Sequence, residues 1–140
     1  MHETNIQSSC LKISNLELNL NMGITKDEQK HKQLILVTIH ITNTLPPKGC
    51  HNDNINDTLC YDKLCSSIIQ KCENKVFHLI EHLCHEILTI TCNQVSNLRG
   101  SKDSNLMPNL TNKTKIQVTI NKNPPIDALP SACFSLNAIL

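Results

Sequence analysis

The residues from 34 to 42 alternate between apolar and polar side chains, and this period of two constrains the fold more than any other feature of the chain. Successive side chains of a β-strand point to opposite faces, so every second residue here would share one face. The apolar set is Ile35, Val37, Ile39 and Ile41, with Thr38 and His40 on the other face. The pattern predicts a long, half-buried strand.

A second alternating stretch comes before this one and predicts its partner strand. The apolar residues of that stretch are Leu16, Leu18, Leu20 and Met22. Leu11 and Ile13 lie in the opposite register, so we expect a β-bulge near residues 14–15. Gly23 ends the strand, and residues 25–32 form a polar connection to the next one. Two long strands joined by one connection favour an antiparallel pair.

Two helices are predicted in the middle of the chain, after a loop of turn-forming residues at 43–57. The first helix begins near Tyr61 or Asp62 and ends near Asn74. Its apolar residues recur at helical spacing and are Leu64, Cys65, Ile68, Ile69 and Cys72. The second helix carries a similar series, made of Phe77, Ile80, Cys84, Ile87 and Leu88.

The remainder of the chain predicts one loop and two more strands. Residues 92–112 have no period and contain Gly100 and Pro108, which predicts an extended loop. Residues 116–120 alternate as a third strand, and residues 131–140 form a fourth. The order β-β-α-α-β-β is typical of an α+β fold, with two helices on one face of an antiparallel sheet. A length of 140 residues predicts a single domain over residues 1–140.

Composition and charge exclude several classes of protein. A net charge of +1 gives no electrostatic ground for binding nucleic acid or an anionic membrane. Residues 1–5 lack the basic and apolar parts of a signal peptide, and no apolar run could span a bilayer, so we expect a cytoplasmic protein. In that reducing compartment the eight cysteines should be thiols. One Tyr, two Phe and no Trp predict a thin core, which favours assembly with partner subunits.

The stretch from His78 to His82 matches the H-x-x-E-H pattern of inverted zinc proteases. On a helix these two histidines would lie four residues apart, which suits two zinc ligands. Those proteases also need a third, acidic ligand far downstream and a much larger domain. We therefore interpret the histidine spacing as incidental, and we predict neither a metal nor another cofactor. Glu81 is the residue of this stretch that we expect to carry chemistry.

Four segments of the chain, in order, resemble segments of the dihydroneopterin aldolase family of folate biosynthesis. They are GITKDEQKHKQ at 23–33, NINDTLCY at 54–61, LIEHLC at 79–84 and VTINKNPP at 118–125. The family has a glycine, an acid and a glutamine after its first strand, then an Asp-rich stretch that ends in tyrosine. A Leu-Leu-Glu-His-Leu-Ala segment and a strand ending in Lys-x-x-Pro follow. The resemblance runs from Ile13 to the C-terminus.

The resemblance implies a role for five residues. Lys122 corresponds to the family's proton-shuttling lysine, and Tyr61 to a second proton donor or acceptor. Glu28 would bind or orient the side-chain hydroxyls of the substrate. Glu81 would grip the pterin ring, and Ile80 would contact it through its backbone. The implied activity is that of a metal-independent lyase, which splits 7,8-dihydroneopterin into 6-hydroxymethyl-7,8-dihydropterin and glycolaldehyde by a retro-aldol reaction.

The resemblance also implies an assembly. Family members adopt a tunnelling fold, in which subunits join their sheets into a barrel as tetramers or octamers. The active sites, which take a small pterin substrate, then form between subunits.

Three alternatives remain open at this point. The chain could be a non-catalytic module that binds pterin or drives oligomerisation within a multifunctional folate protein. It could be an epimerase that acts on dihydroneopterin or its triphosphate through a reversible aldol step. It could also be a metalloprotein, and the spacing of His78 and His82 is the feature that would favour this alternative.

Overall fold

The computed structural model describes residues 4–99 and 112–140, which form one sheet with helices packed on it. The strands are β1 (Ser9–Met22), β2 (Gln33–Asn43), β3 (Val76–Phe77), β4 (Thr114–Lys122) and β5 (Ala132–Ile139). The helices are α1 (Lys26–Lys30), α2 (Gly49–Asn52), α3 (Tyr61–Cys72) and α4 (Ile80–Arg99), and Ile55–Asp57 forms a 3-10 turn. The α+β class predicted from the sequence is confirmed.

The sheet has the strand order β3-β1-β2-β4-β5. The pairs β1–β2, β2–β4 and β4–β5 are antiparallel, as predicted. The predicted all-antiparallel sheet is nevertheless wrong in one respect, because β3 pairs in parallel with the end of β1. This strand is only two residues long, so it has no period that a sequence pattern could reveal. Phe77, which was predicted to begin the second helix, lies in β3.

The predicted β-bulge in β1 is confirmed. The pairing of β1 with β2 shifts register between Ile13 and Leu16, and Asn15 adopts a left-handed φ of 55°. The Asn15 backbone N–H donates to the Thr38 hydroxyl across the strands, at 3.2 Å. The bulge lets the apolar residues on both sides of it face the core, although they differ in register.

The core lies between one face of the sheet and helices α3 and α4. The alternating residues predicted for the covered face are buried in β1, β2 and β4, and they pack against Leu64 and Ile68 of α3 and Leu83 and Ile87 of α4. Phe77 is the one aromatic residue of this core that is fully buried among the described residues. The opposite face of the sheet carries half-exposed or exposed, mostly polar side chains, and neither α3 nor α4 packs on it. The placement of both helices on one face is therefore confirmed.

Three segments that were predicted as connections are partly helical. Helix α1 lies within the polar connection at 25–32, and α2 and the 3-10 turn lie within the loop at 43–57. Helix α4 continues through Cys92 to Arg99, so the predicted loop at 92–112 does not begin at residue 92. The helix extends because Val95 is buried and continues its apolar series. Residues 100–111 of that loop lie outside the described residues. Among the residues described, no helix is long and apolar enough to cross a bilayer.

Candidate active site

Gly23 ends β1 and makes the space in which the Glu28 side chain lies. The backbone N–H of Gly23 donates to the carbonyl of Phe77 at 3.0 Å, which ties the end of β1 to β3. Its φ is +147°, a conformation that favours glycine. A Cβ added at this position would lie 2.3 Å from the Glu28 Cβ and 2.6 Å from its Oε2 atom. A glycine is thus required here for the acid to occupy its position.

A capping box starts α1 and includes Glu28. The backbone N–H of Glu28 donates to the Thr25 hydroxyl at 3.2 Å, and the backbone N–H of Thr25 donates to Glu28 Oε1 at 3.4 Å. These bonds satisfy two N–H groups that a helix start leaves without partners. This helix was not predicted from the sequence, although the Thr-x-x-Glu spacing is a readable signal for a helix start.

Side-chain amides hold α1 against the end of β1. The Gln33 amide donates to the backbone carbonyls of Met22 and Glu28, the latter at 3.2 Å. The Gln29 amide donates to the Gly23 carbonyl at 2.9 Å. The glycine, the acid and the glutamine that the sequence analysis singled out at 23–33 therefore fold into one compact unit.

Lys122 reaches this unit from the end of β4. It follows the buried residues Ile116, Val118 and Ile120 in the same alternating row, so it points to the covered face where the core ends. Its side chain is only 12% exposed, and its Nζ lies 3.4 Å from Glu28 Oε2. Glu28 is 20% exposed in the same pair. The fold thus brings together two predicted site residues that are 94 positions apart in the sequence.

The surroundings of Glu28 favour its charged form. Partial desolvation by burial raises the pKa of its carboxyl, but hydrogen bonds from Thr25 and the charge and hydrogen bond of Lys122 outweigh that effect and lower it. The Glu28 carboxylate and the Lys122 ammonium consequently form an ion pair at neutral pH. Such a pair can hold a water molecule or a substrate hydroxyl and move protons through it.

The start of α4 lies at the same end of the sheet as this pair. Strand β3 pairs with the last two residues of β1, and α4 begins three residues after β3 ends. Ile80 is half-buried, and Glu81 is exposed in the first turn of α4. Within residues 4–99 and 112–140, Glu81 makes no hydrogen bond with Glu28 or Lys122. Its side chain is accessible to solvent.

Tyr61 is not brought to this group within one chain. It is the first residue of α3 and is 61% exposed. The other end of α3 meets β1, where the Asn19 N–H donates to the Glu73 carboxylate at 3.1 Å. With a rise of 1.5 Å per residue, about 16 Å of helix separates Tyr61 from that end. The structure thus places Tyr61 apart from the other predicted site residues.

The two histidines of the H-x-x-E-H pattern do not share a helix. Helix α4 begins at Ile80, so His78 precedes it and the four-residue helical spacing is lost. His82 lies against the Phe77 ring, with ring centroids 5.8 Å apart, and its Nε2 is 3.7 Å from Glu86 Oε1. Among the described residues, no group of three or more His, Cys, Asp or Glu side chains is arranged to hold a metal.

A cavity of about 390 Å³ lies elsewhere, between residues 55–63 and the C-terminal half of α4. Neither Glu28 nor Lys122 nor Glu81 lines it. The Glu28–Lys122 pair at the end of the sheet thus lies outside this cavity.

Comparisons with known proteins find a matching family, related sequences and similar folds. The family model described as FolB, dihydroneopterin aldolase, matches residues 11–134. A probable dihydroneopterin aldolase of Chlamydia muridarum is 31% identical over 121 residues, which cover 82% of this chain and 98% of that protein. The crystal structure of Escherichia coli dihydroneopterin aldolase in complex with neopterin superposes with a TM-score of 0.71 at 14% identity, covering 93% of this chain and 98% of that one.

A second kind of relative is also similar over a shorter span. The dihydroneopterin triphosphate 2'-epimerase of Escherichia coli is 35% identical over 85 residues, which cover 59% of this chain and 68% of the epimerase.

Proposed function

The chain belongs to the dihydroneopterin aldolase family, and on that premise we propose that it cleaves 7,8-dihydroneopterin into 6-hydroxymethyl-7,8-dihydropterin and glycolaldehyde for tetrahydrofolate biosynthesis. Such an enzyme is a lyase. The observation that carries the proposal is the contact between Lys122 and Glu28, 3.4 Å apart at the end of the sheet. The family match over residues 11–134 supports our proposal that residues 1–140 form one catalytic domain.

The chemistry of a retro-aldol cleavage explains what such a site must supply. A base takes the proton of a side-chain hydroxyl, the adjacent carbon–carbon bond breaks, and its electron pair moves into the conjugated C=N of the substrate ring. The carbon that stays on the ring then takes up a proton. The substrate thus provides its own electron acceptor, and the protein must grip the ring and move protons. We accordingly propose that the reaction needs no metal.

Lys122 is our candidate for the proton shuttle. Its ammonium is shielded from solvent and held by Glu28, so its position at the end of the core is well defined. The opposite carboxylate can bind or orient the substrate's side-chain hydroxyls beside the ammonium. The 3.4 Å between Lys122 Nζ and Glu28 Oε2 is a direct contact, so a water molecule that relays the proton would bind beside the pair.

Glu81 is our candidate for the ring anchor. A carboxylate can accept two parallel N–H bonds from the guanidine-like edge of a pterin, as it does from an arginine. Glu81 is exposed in the first turn of α4, so its carboxylate is free to accept such bonds. The backbone of Ile80, at the start of the same helix, would supply a further contact, since the first N–H groups of a helix lack partners within it.

The exposed position of Tyr61 supports the proposal that each active site is shared between subunits. It is exposed and lies apart from the pair, so it could reach a pterin only at the site of a neighbouring chain. We propose that subunits join their sheets into the barrel of a tunnelling fold, as a tetramer or an octamer. Strand β5 forms one edge of the sheet, and Ile139 on it is 70% exposed, which leaves an edge for pairing with another subunit.

The eight cysteines support a reducing compartment, and we propose the cytoplasm. All of them are free in the structure. Persistent disulfides would be expected in an oxidising compartment.

The proposed activity can be tested by a turnover assay on purified protein with dihydroneopterin, in which the products are identified. We expect hydroxymethyl-dihydropterin and glycolaldehyde in equal amounts, at the same rate with and without a chelator. Tight pterin binding without any product would instead favour the non-catalytic module. A rate that disappears with chelator and returns with added metal would exclude a metal-independent reaction.

An epimerase is the second candidate, and the similarity to the Escherichia coli enzyme favours it. Epimerisation at the second side-chain carbon would use the same bond cleavage, followed by re-addition of the aldehyde to its other face. The same assay separates the two activities, because an epimerase returns an isomer of the substrate and releases no glycolaldehyde.

A further inference from the structure

Thr25 makes a contact with Glu28 that helix capping does not require. In a capping box, the Thr hydroxyl accepts from the N3 backbone N–H, and the N3 acid accepts from the Thr backbone N–H. Both bonds are present here. In addition, the Thr25 hydroxyl lies 3.1 Å from Glu28 Oε1 and donates to it. A hydroxyl can do both at once, because it has one proton to give and two lone pairs.

The two oxygens of the Glu28 carboxylate are divided between two partners. Oε1 accepts from the Thr25 hydroxyl at 3.1 Å and from the Thr25 backbone N–H at 3.4 Å. Oε2 lies 3.4 Å from Lys122 Nζ. The missing side chain of Gly23 leaves room for the carboxylate on a third side. Since each oxygen has its own donor, the plane of the carboxylate is fixed, and one edge faces the lysine.

Contacts that do not involve Thr25 also hold α1 in place. Three amide contacts fasten it to the end of β1 and the start of β2. The Asn21 amide donates to the Gln29 carbonyl at 2.8 Å, the Gln29 amide to Gly23 at 2.9 Å, and the Gln33 amide to Glu28 at 3.2 Å. Loss of the Thr25 hydroxyl would leave these three contacts intact, although it would remove the capping bond from the Glu28 backbone N–H. Oε1 of Glu28 would then keep only the longer bond from the Thr25 backbone N–H.

Thr25 also affects the pKa of the Glu28 carboxyl. Burial raises the pKa of the carboxyl, and the hydrogen bonds from Thr25 act against this together with Lys122. Within the described part of the chain, the Lys122 ammonium from β4 is the charged group that acts on this carboxylate, and the Thr25 donors are neutral. Removal of the Thr25 hydroxyl is consequently expected to raise the pKa of Glu28.

We propose that Thr25 is a positioning residue, whose hydroxyl holds the Glu28 carboxylate in the orientation in which it faces Lys122. The proposal rests on the function proposed above for the Glu28–Lys122 pair. Thr25 would not touch the substrate and would act only through Glu28.

The experiment compares Thr25→Ala, Thr25→Ser and Asp27→Ala with the wild-type protein, and each Thr25 variant is also made in a Glu28→Gln background. Asp27→Ala is the matched control, since Asp27 is an exposed acid of the same helix whose partner is Lys30, at 3.9 Å. We expect Thr25→Ala to lower kcat/KM about tenfold. Thr25→Ser, which keeps the hydroxyl, and Asp27→Ala should stay within about twofold of the wild type.

A residue that acts through Glu28 should have no effect once Glu28 is removed. In the Glu28→Gln background we therefore expect Thr25→Ala to change kcat/KM by less than about twofold, which is the non-additivity of a coupled pair. An equal tenfold loss in both backgrounds would show a general structural role and overturn the proposal. Wild-type kinetics in Thr25→Ala would overturn it as well.

A second measurement is independent of turnover. The carboxyl carbon of Glu28 is titrated by NMR in protein with labelled glutamate, and its signal is assigned by its loss in Glu28→Gln. We expect a higher pKa in Thr25→Ala and the wild-type value in Thr25→Ser and Asp27→Ala. An unchanged pKa in Thr25→Ala would overturn the proposal even if Glu28→Gln proved too slow to assay. If the wild-type protein lacked aldolase activity while the pKa shifted as expected, the proposed function would fail and the positioning role would stand.

Discussion

At the scale of single residues, the site depends on how one strand ends. Lys122 continues the buried row of β4 by one more position, beyond the point where side chains pack on the helices. Its stem is thus covered by the core while its ammonium reaches Glu28. A lysine at any exposed position of the strand would lack both the cover and the partner.

The role of Lys122 can be tested by its replacement with alanine. We expect Lys122→Ala to lower kcat by roughly 100-fold or more, because the proton shuttle is lost, while pterin binding by Glu81 stays measurable. Turnover and equilibrium binding are measured on the same preparation. Lys115→Ala is the control, since Lys115 is an exposed lysine at the other end of the same strand. Wild-type turnover in Lys122→Ala would contradict the assignment.

At the scale of elements, the short strand β3 joins the sheet to the helix that carries Glu81. Phe77 is 2% exposed in this strand, and its carbonyl accepts from the Gly23 N–H. The two-residue pairing with β1 therefore determines where α4 begins. A sequence-based prediction that places Phe77 on the helix would move the start of α4 away from this end of the sheet.

We expect Phe77→Ala to destabilise the protein by about 3–5 kcal/mol, because it removes a large buried ring and leaves a cavity beneath the start of α4. The free energy of unfolding is measured in urea at one fixed protein concentration, since assembly also contributes to stability. His78→Ala, at the exposed neighbouring position, should change it by less than about 0.5 kcal/mol. Equal losses in the two variants would show that β3 is not part of the core.

Two helical cysteines are part of the same packing. Burial raises the pKa of Cys72 from 9.0 to about 11, with smaller effects of neighbouring charges. Burial likewise raises the pKa of Cys84 to about 11, and its thiol lies 3.3 Å from the Val118 carbonyl on β4. Both residues thus behave as small buried groups that hold their helices against other elements.

These thiols predict how stability changes at alkaline pH. The unfolded chain would lose their protons above pH 9, whereas the folded chain keeps them to about pH 11. The stability that they contribute is therefore complete below pH 9 and is lost as the pH rises toward 11, by up to about 1 kcal/mol per pH unit for each thiol. Urea unfolding between pH 8 and 11 tests this. Cys84→Ala should show a shallower decline, and an identical slope would contradict the argument.

At the scale of the whole molecule, one chain holds the pieces of a site but does not assemble all of them. Glu28 and Lys122 meet, Glu81 lies at the same end of the sheet, and Tyr61 lies about a helix length away. The face of the sheet opposite α3 and α4 and the edge at β5 leave surface available to other subunits. Assembly of the active site between chains would account for the separation of Tyr61 from the other site residues and for the available surface of the sheet.

Mixed assemblies test this directly. Tyr61→Ala and Lys122→Ala should each be nearly inactive alone. When the two variants are unfolded, mixed in equal amounts and refolded together, sites that combine an intact Tyr61 from one chain with an intact Lys122 from its neighbour should form. Random mixing predicts about a quarter of the wild-type activity. Activity that stays at the level of the single variants would place both residues in the site of the same chain.

Much of this fold follows from local patterns in the sequence. The alternation in residues 16–22, 34–42 and 116–120 indicates strands, and the change of register around Asn15 indicates the bulge, because side-chain direction in a strand depends only on parity. Residues 61–72 show the helical period for the same reason. The order of these elements then determines the α+β class. The Thr-x-x-Glu spacing of the capping box at Thr25 is a local signal of the same kind.

Other features were decided only by the tertiary structure. A two-residue strand such as β3 has no period, and it forms because Phe77 can be buried beside the end of β1. The meeting of Glu28 and Lys122 depends on the pairing of β2 with β4, which brings together residues 94 positions apart. The same packing leaves Tyr61 exposed at the far end of α3. By itself the sequence determined which residues form strands and helices, because those choices are local. The long-range packing decided which of its polar side chains face one another.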